Sequence, residues 1–160
     1  MTRTLPLAVL MALTIACAER PVADTEHGGI EISAALATAS PTAQSSAAYF
    51  RIRNSADRPD TLLALSVRGG RAQLHTVEVH EGRTSMQHVE HLAIAPGAEI
   101  RLAPGGYHVM LTELAAPLAV GDTVELSAIF TSADTLTIRA PVLTYSQLVE
   151  RLDSENGRDP

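Results

Sequence analysis

The stretch LHTVEVHEGRTSMQHVEHLAIAPGAEIRLAPGGYHVML, Leu74 to Leu111, decides the fold. Short runs of alternating or β-rich character are broken by Glu81-Gly82, Pro96-Gly97 and Pro104-Gly105-Gly106. Alternation with a period of two is the mark of a half-buried strand, and glycine and proline pairs mark the turns between strands. The segment therefore reads as strands over Gln73–His80, Ser85–Val89, Glu99–Leu102 and His108–Thr112. The same pattern extends outward. Upstream lie candidate strands Ile30–Ala37, Ala48–Arg53 and Thr61–Val67, punctuated by Asp57-Arg58-Pro59-Asp60 and Gly69-Gly70. Downstream, after Gly121-Asp122, come Thr123–Ile129 and Thr135–Ala140. Turn signals recur about every 8 to 12 residues, the spacing of an antiparallel sandwich or small barrel. The expected fold class is all-β.

The chain has 160 residues, enough for one domain. The β domain is expected over residues 29–143, with a tail at 144–160 that holds a short helix at Ser146–Leu152. There Leu148, Val149 and Leu152 line one side. At the other end, Arg3 and the apolar run Leu5 to Ala16 have the make-up of a signal peptide, and the run is too short to span a bilayer comfortably. Leu13-Thr14-Ile15-Ala16-Cys17 resembles a bacterial lipobox, with Thr14 where leucine is usual. Ala16-Cys17-Ala18 also fits an ordinary signal-peptidase site. Lipidation is the favoured reading because Cys17 is the sole cysteine of the chain. Residues 1–17 are thus expected to be a signal segment ending on a lipid-bearing cysteine. Residues 18–28 form a polar tether. Export to the periplasm with a membrane anchor follows, and the mature domain has no disulfide.

The formal net charge is −6, and the twelve basic residues are all arginines scattered along the chain. No basic cluster suits a phosphate backbone, so nucleic acid is not an expected partner. No nucleophile elbow or metalloprotease motif is present, and no enzymatic activity is expected.

The chemistry gathers between Leu74 and Leu111. His108 and Met110 are two apart on a candidate strand, so both project from one face, with Cα atoms about 6.5 Å apart. A thioether is a soft donor that favours Cu(I), whereas zinc sites use Cys, His, Asp and Glu. Blue-copper electron transfer requires a cysteine thiolate, and the mature domain has none beyond Cys17. The donors therefore suit copper storage or transfer. Each residue also has a plainer reading: a methionine is commonly a core filler, and His75 shares its strand face with Val77 and Val79.

All four residues together are more specific. Ten residues separate His75 from Met86, twenty-one separate Met86 from His108, and His108-Val109-Met110 closes the set. This resembles the signature of the PCu(A)C-type periplasmic copper chaperones. The resemblance runs from about Ile30 to Pro141. It includes Ala47-Ala48-Tyr49 leading to Asn54, Leu74-His75, Val89-Glu90 ahead of Ile94-Ala95-Pro96-Gly97, Pro104-Gly105-Gly106-Tyr107-His108, Pro117-Leu118 and Gly121-Asp122. It implies a cupredoxin-like Greek-key β-sandwich. It also implies Cu(I) held by His75, Met86, His108 and Met110 and delivered to the dinuclear copper centre of cytochrome c oxidase or to another copper chaperone. The chain departs from the family in lacking tryptophan and in carrying Thr84 where a further methionine is common. His80, His88 and His91 are either exposed hairpin histidines or a second, imidazole-rich site suited to Cu(II). Tyr107 and Glu90 are expected beside the ligands. The rival reading is a structural or adhesive β-sandwich lipoprotein whose Met and His residues merely pack.

Overall fold

The computed structural model describes residues 25–132 and 135–156. The signal segment with Cys17, the first part of the tether and the last four residues of the tail lie outside them. Eleven strands follow in order: β1 Thr25–His27, β2 Ile30–Thr38, β3 Ser45–Asn54, β4 Asp60–Val67, β5 Arg71–His80, β6 Arg83–His88, β7 Leu92–Ile94, β8 Glu99–Arg101, β9 His108–Thr112, β10 Thr123–Phe130 and β11 Leu136–Leu143. One helix, α1 Tyr145–Asn156, follows. The fold is all-β, as expected.

The strands run in the order β6-β5-β9-β3-β2-β11-β10-β4-β7, with β1 added on β2 and β8 on β3. The ladder folds into two layers because β11 changes sheets. Its first part pairs antiparallel with β10, ending at Thr123↔Pro141. Its last residues, Val142 and Leu143, pair parallel with Ala37 and Thr38 of β2. Pro141 sits at the handover, where the N–H it lacks is least missed. This parallel contact departs from the purely antiparallel expectation.

Inward-facing residues alternate along each strand. Ala48, Phe50 and Ile52 of β3, Val109 and Leu111 of β9, and Leu126, Ala128 and Phe130 of β10 meet in one buried core. Fully burying a side chain such as Phe50 or Leu126 contributes roughly 1.5–3 kcal/mol. A second, smaller cluster lies on the opposite face of the β2–β3 pair. There Leu148 of α1 covers Leu36 and Tyr49. The helix starts with a reciprocal cap: Gln147 N–H donates to Thr144 Oγ1 at 3.3 Å, and Thr144 N–H donates to Gln147 Oε1 at 3.1 Å. It therefore begins earlier and ends later than the Ser146–Leu152 expected.

Two turns place the functional strands. Glu81 and Gly82 both have positive φ, 50° and 76°, the pair of values that a two-residue type I′ hairpin needs. They join β5 to β6 in the register His80↔Arg83 through His75↔His88. Pro104-Gly105-Gly106 forms a tight loop between β8 and β9, which run in the same direction along one edge of β3, with Gly105 at φ 83°. Gly106 N–H donates to the Ala103 carbonyl at 3.0 Å, and Ala103 N–H donates to the Tyr107 carbonyl at 2.8 Å. His108 is the first residue after this turn.

Three expectations change. Thr25–His27, expected in the tether, pairs with β2 as strand β1. Leu92–Ile94 is an unexpected strand on the edge of β4. β3 begins three residues before Ala48, because Ser45 to Ala48 pair with β9.

Candidate metal centre

The register of three neighbouring strands builds the site. His75 of β5 lies directly across from His88 of β6 and from His108 of β9. Met86 pairs with Val77, two residues further along β5, and Met110 pairs with Gln73, two residues back. Directly paired residues share a face, and diagonal neighbours lie about 7–8 Å apart. His75 is therefore the hub of a five-residue cross: two imidazoles face it and a thioether stands at each of two diagonals. The face is the outer one, because Leu74 and Val109 point into the core.

The rings are close. The His75 centroid is 5.6 Å from that of His88 and 5.9 Å from that of His108. His108 is buried at 8% exposure, and its Nδ1 lies 3.1 Å from the Gly106 carbonyl. A carbonyl oxygen only accepts, so Nδ1 carries the proton and Nε2 keeps its lone pair. This is the usual way a protein fixes the tautomer of a ligating histidine. His75 differs: both of its ring nitrogens are shielded from solvent and find no hydrogen-bond partner among the described residues. Burial, then the neighbouring His108 and His88, push its pKa below the ordinary histidine value. These effects favour the neutral ring, the form in which imidazole ligates metal.

Met86, His108 and Met110 also line one open hollow with Val77, Pro104 and Tyr145. Met86 is 58% exposed, so it is not a core filler. Tyr49, on the floor of this hollow, has a pKa raised by burial and then by Tyr145, which keeps its hydroxyl neutral.

The other candidates fall elsewhere. His80 lies opposite Arg83 on the face turned away from His75, at the hairpin tip. His91 follows β6 and borders, with His88 and Glu90, a different hollow over Leu62 and Leu74. Tyr107 packs against the core rather than beside the ligands. Among the described residues, no three or more His, Cys, Asp or Glu side chains are gathered closely enough to hold a metal by themselves. The structure puts His80 and His88 on opposite faces of the hairpin. The membership of His88 in the central row is the feature that sequence reading missed. The two-residue turn carried the signal, since it fixes His88 opposite His75.

Known proteins share this architecture. A structure described as the copper-bound PCuAC domain from PmoF2 superposes with a TM-score of 0.65 at 26% identity, covering 76% of this chain and 98% of that domain. The solution structure of CuI-DR1885 from Deinococcus radiodurans gives a TM-score of 0.54 at 30% identity, over 71% of this chain and 79% of that one. The fold is thus the all-β, cupredoxin-like sandwich of PCuAC-type domains. The family model described as "Putative lipoprotein LpqE-like" matches residues 30–142, and the chain belongs to that PCuAC-type family. A relative named "Putative lipoprotein Lxx21020", from Leifsonia xyli subsp. xyli (strain CTCB07), is 28% identical over 145 residues, 87% of each chain.

Proposed function

We propose that this protein is an exported copper chaperone, not an enzyme, that binds Cu(I) through His75, Met86, His108 and Met110. The observation that carries the reading is His75, whose shielded ring nitrogens have no partner among the described residues, flanked by His108 with its Nδ1 on the Gly106 carbonyl and its Nε2 turned elsewhere. Two thioethers stand at its diagonals, on side chains with three rotatable bonds each. Soft sulfur with neutral imidazole suits Cu(I). The copper-bound and CuI forms of the two solved relatives support the same cargo. The rival reading, an adhesive lipoprotein with packed Met and His, sits poorly with an exposed Met86 and an unsatisfied His75. The recipient is a copper protein, either the dinuclear copper centre of cytochrome oxidase or a further chaperone.

X-ray absorption of the reduced, copper-loaded protein should show both sulfur and nitrogen scatterers. Met110→Leu should lose Cu(I) affinity at least about tenfold while losing less than about 1.5 kcal/mol of stability. A spectrum without sulfur, or unchanged affinity in the variant, rejects the site.

Membrane anchoring at Cys17 in the periplasm is part of the proposal. The lipobox-like run before Cys17 and the lipoprotein description of the family support it. A tether would hold the copper site at high effective concentration near a membrane-embedded recipient. Cys17→Ser should release the protein to the soluble fraction with Cu(I) binding intact. A wild-type protein found soluble, with Glu19 as its first residue, rejects the anchor.

A further inference from the structure

The three imidazoles form a graded row. His88 is exposed on the short strand β6, which lies at one end of the strand order. His75, next inward, is half-buried, and His108 beyond it is buried at 8% exposure. The steps between ring centroids are nearly equal, 5.6 Å and 5.9 Å. Such a row does not hold an ion with three imidazoles at once, since no cluster of that kind is gathered among the described residues. It does offer adjacent pairs. His75 is the shared member of both pairs, and neither of its ring nitrogens is occupied.

We propose that His88 is the entry and exit ligand of the copper site. Cu(I) is first taken between His88 and His75 and then passes to His75, His108 and the two methionines; on release it retraces the path. This deepens the proposed function and rests on the copper reading. The chemistry is ligand exchange, with no change of oxidation state and no bond broken but metal–ligand ones. Copper moving by exchange needs an incoming donor in place before an old one leaves. His88 supplies that donor at the solvent side of a hub whose ring nitrogens are shielded from solvent. A ligand that serves only passage changes rates without changing the equilibrium.

The test is transfer kinetics on the full chain, with Cu(I) donated from a weak chelator complex and removed by a stronger chromogenic one. His88→Ala should slow uptake and release alike by about tenfold, with the dissociation constant unchanged. His88→Met, which restores a soft donor at the same position, should recover most of the rate. His88 is exposed, so both variants should fold, and circular dichroism checks this. Unchanged rates in His88→Ala overturn the proposal. A dissociation constant raised tenfold also overturns it, because His88 would then be a resident ligand. A wild-type protein that binds no Cu(I) overturns the copper reading itself, and the relay falls with it.

Discussion

Two residues of this sandwich with shielded polar atoms are treated in opposite ways. Asp60, at the start of β4, is 3% exposed, and its carboxylate is saturated with donors. Oδ1 accepts from the backbone N–H groups of Thr61 at 2.6 Å, Thr131 at 3.0 Å and Ser132 at 3.3 Å, and Oδ2 accepts from the Ser132 hydroxyl. The ring nitrogens of His75 are shielded and have no partner among the described residues. The pKa values tell the same story. Burial alone would raise that of Asp60, but the bonds from Ser132, Thr61 and Thr131 outweigh it and hold the group below its ordinary value. Burial lowers that of His75, and its neighbours are other imidazoles that lower it further. Asp60 is a joint, tying the end of β10 to β4. His75 keeps two shielded ring nitrogens that no described residue bonds, a pattern that calls for a functional explanation.

The comparison makes its largest prediction at Asp60. Asp60→Ala strands the backbone N–H groups of Thr61 and Ser132 and the Ser132 hydroxyl, while Thr131 N–H keeps the Thr61 carbonyl; it should lower unfolding free energy by about 1–3 kcal/mol in a urea titration, with Cu(I) affinity unaffected. The effect has a pH signature. A carboxyl whose folded pKa is lowered adds stability that is complete above the unfolded value, near 3.9, and that disappears as pH falls through the lower folded one. The gap between wild type and variant should therefore close in acid below about pH 4. A gap that stays constant into strong acid would show that the carboxylate is not the joint.

The smallest stability effect is expected at His75. His75→Phe removes a ring that makes no hydrogen bond, so unfolding free energy should change by less than about 1 kcal/mol, and a gain is as acceptable as a loss. Cu(I) binding should fall sharply in the same variant. A loss of stability comparable to that of Asp60→Ala would erase the contrast and make His75 a structural residue.

Much of this was legible in the sequence. The Glu81-Gly82 turn, the His108-Val109-Met110 spacing and most strands were plain, because alternation and turn chemistry are local signals. The His88–His75 pairing was also available by counting outward from a two-residue turn. Strands β1 and β7 were not legible, since three residues carry too little alternation to register. β11 was expected to end at Ala140, before Pro141, which cannot donate to a ladder; the change of sheet there explains why it continues. The His75–His108 pairing joins strands far apart in the chain, and nothing local sets their register. The resemblance to copper chaperones carried that part. The start of α1 was expected at Ser146, and the Thr144-x-x-Gln147 cap that sets it one residue earlier went unread.

The hairpin turn also explains a spacing. The ten residues between His75 and Met86 are five of β5, two of the turn and three of β6. Because side chains alternate, one extra residue in either arm, without a compensating bulge, would send Met86 and His88 to the far side of the sheet from His75. The separation is therefore a parity rule. A substitution elsewhere on the hairpin leaves that parity intact, but a single insertion or deletion in its arms dismantles the metal face.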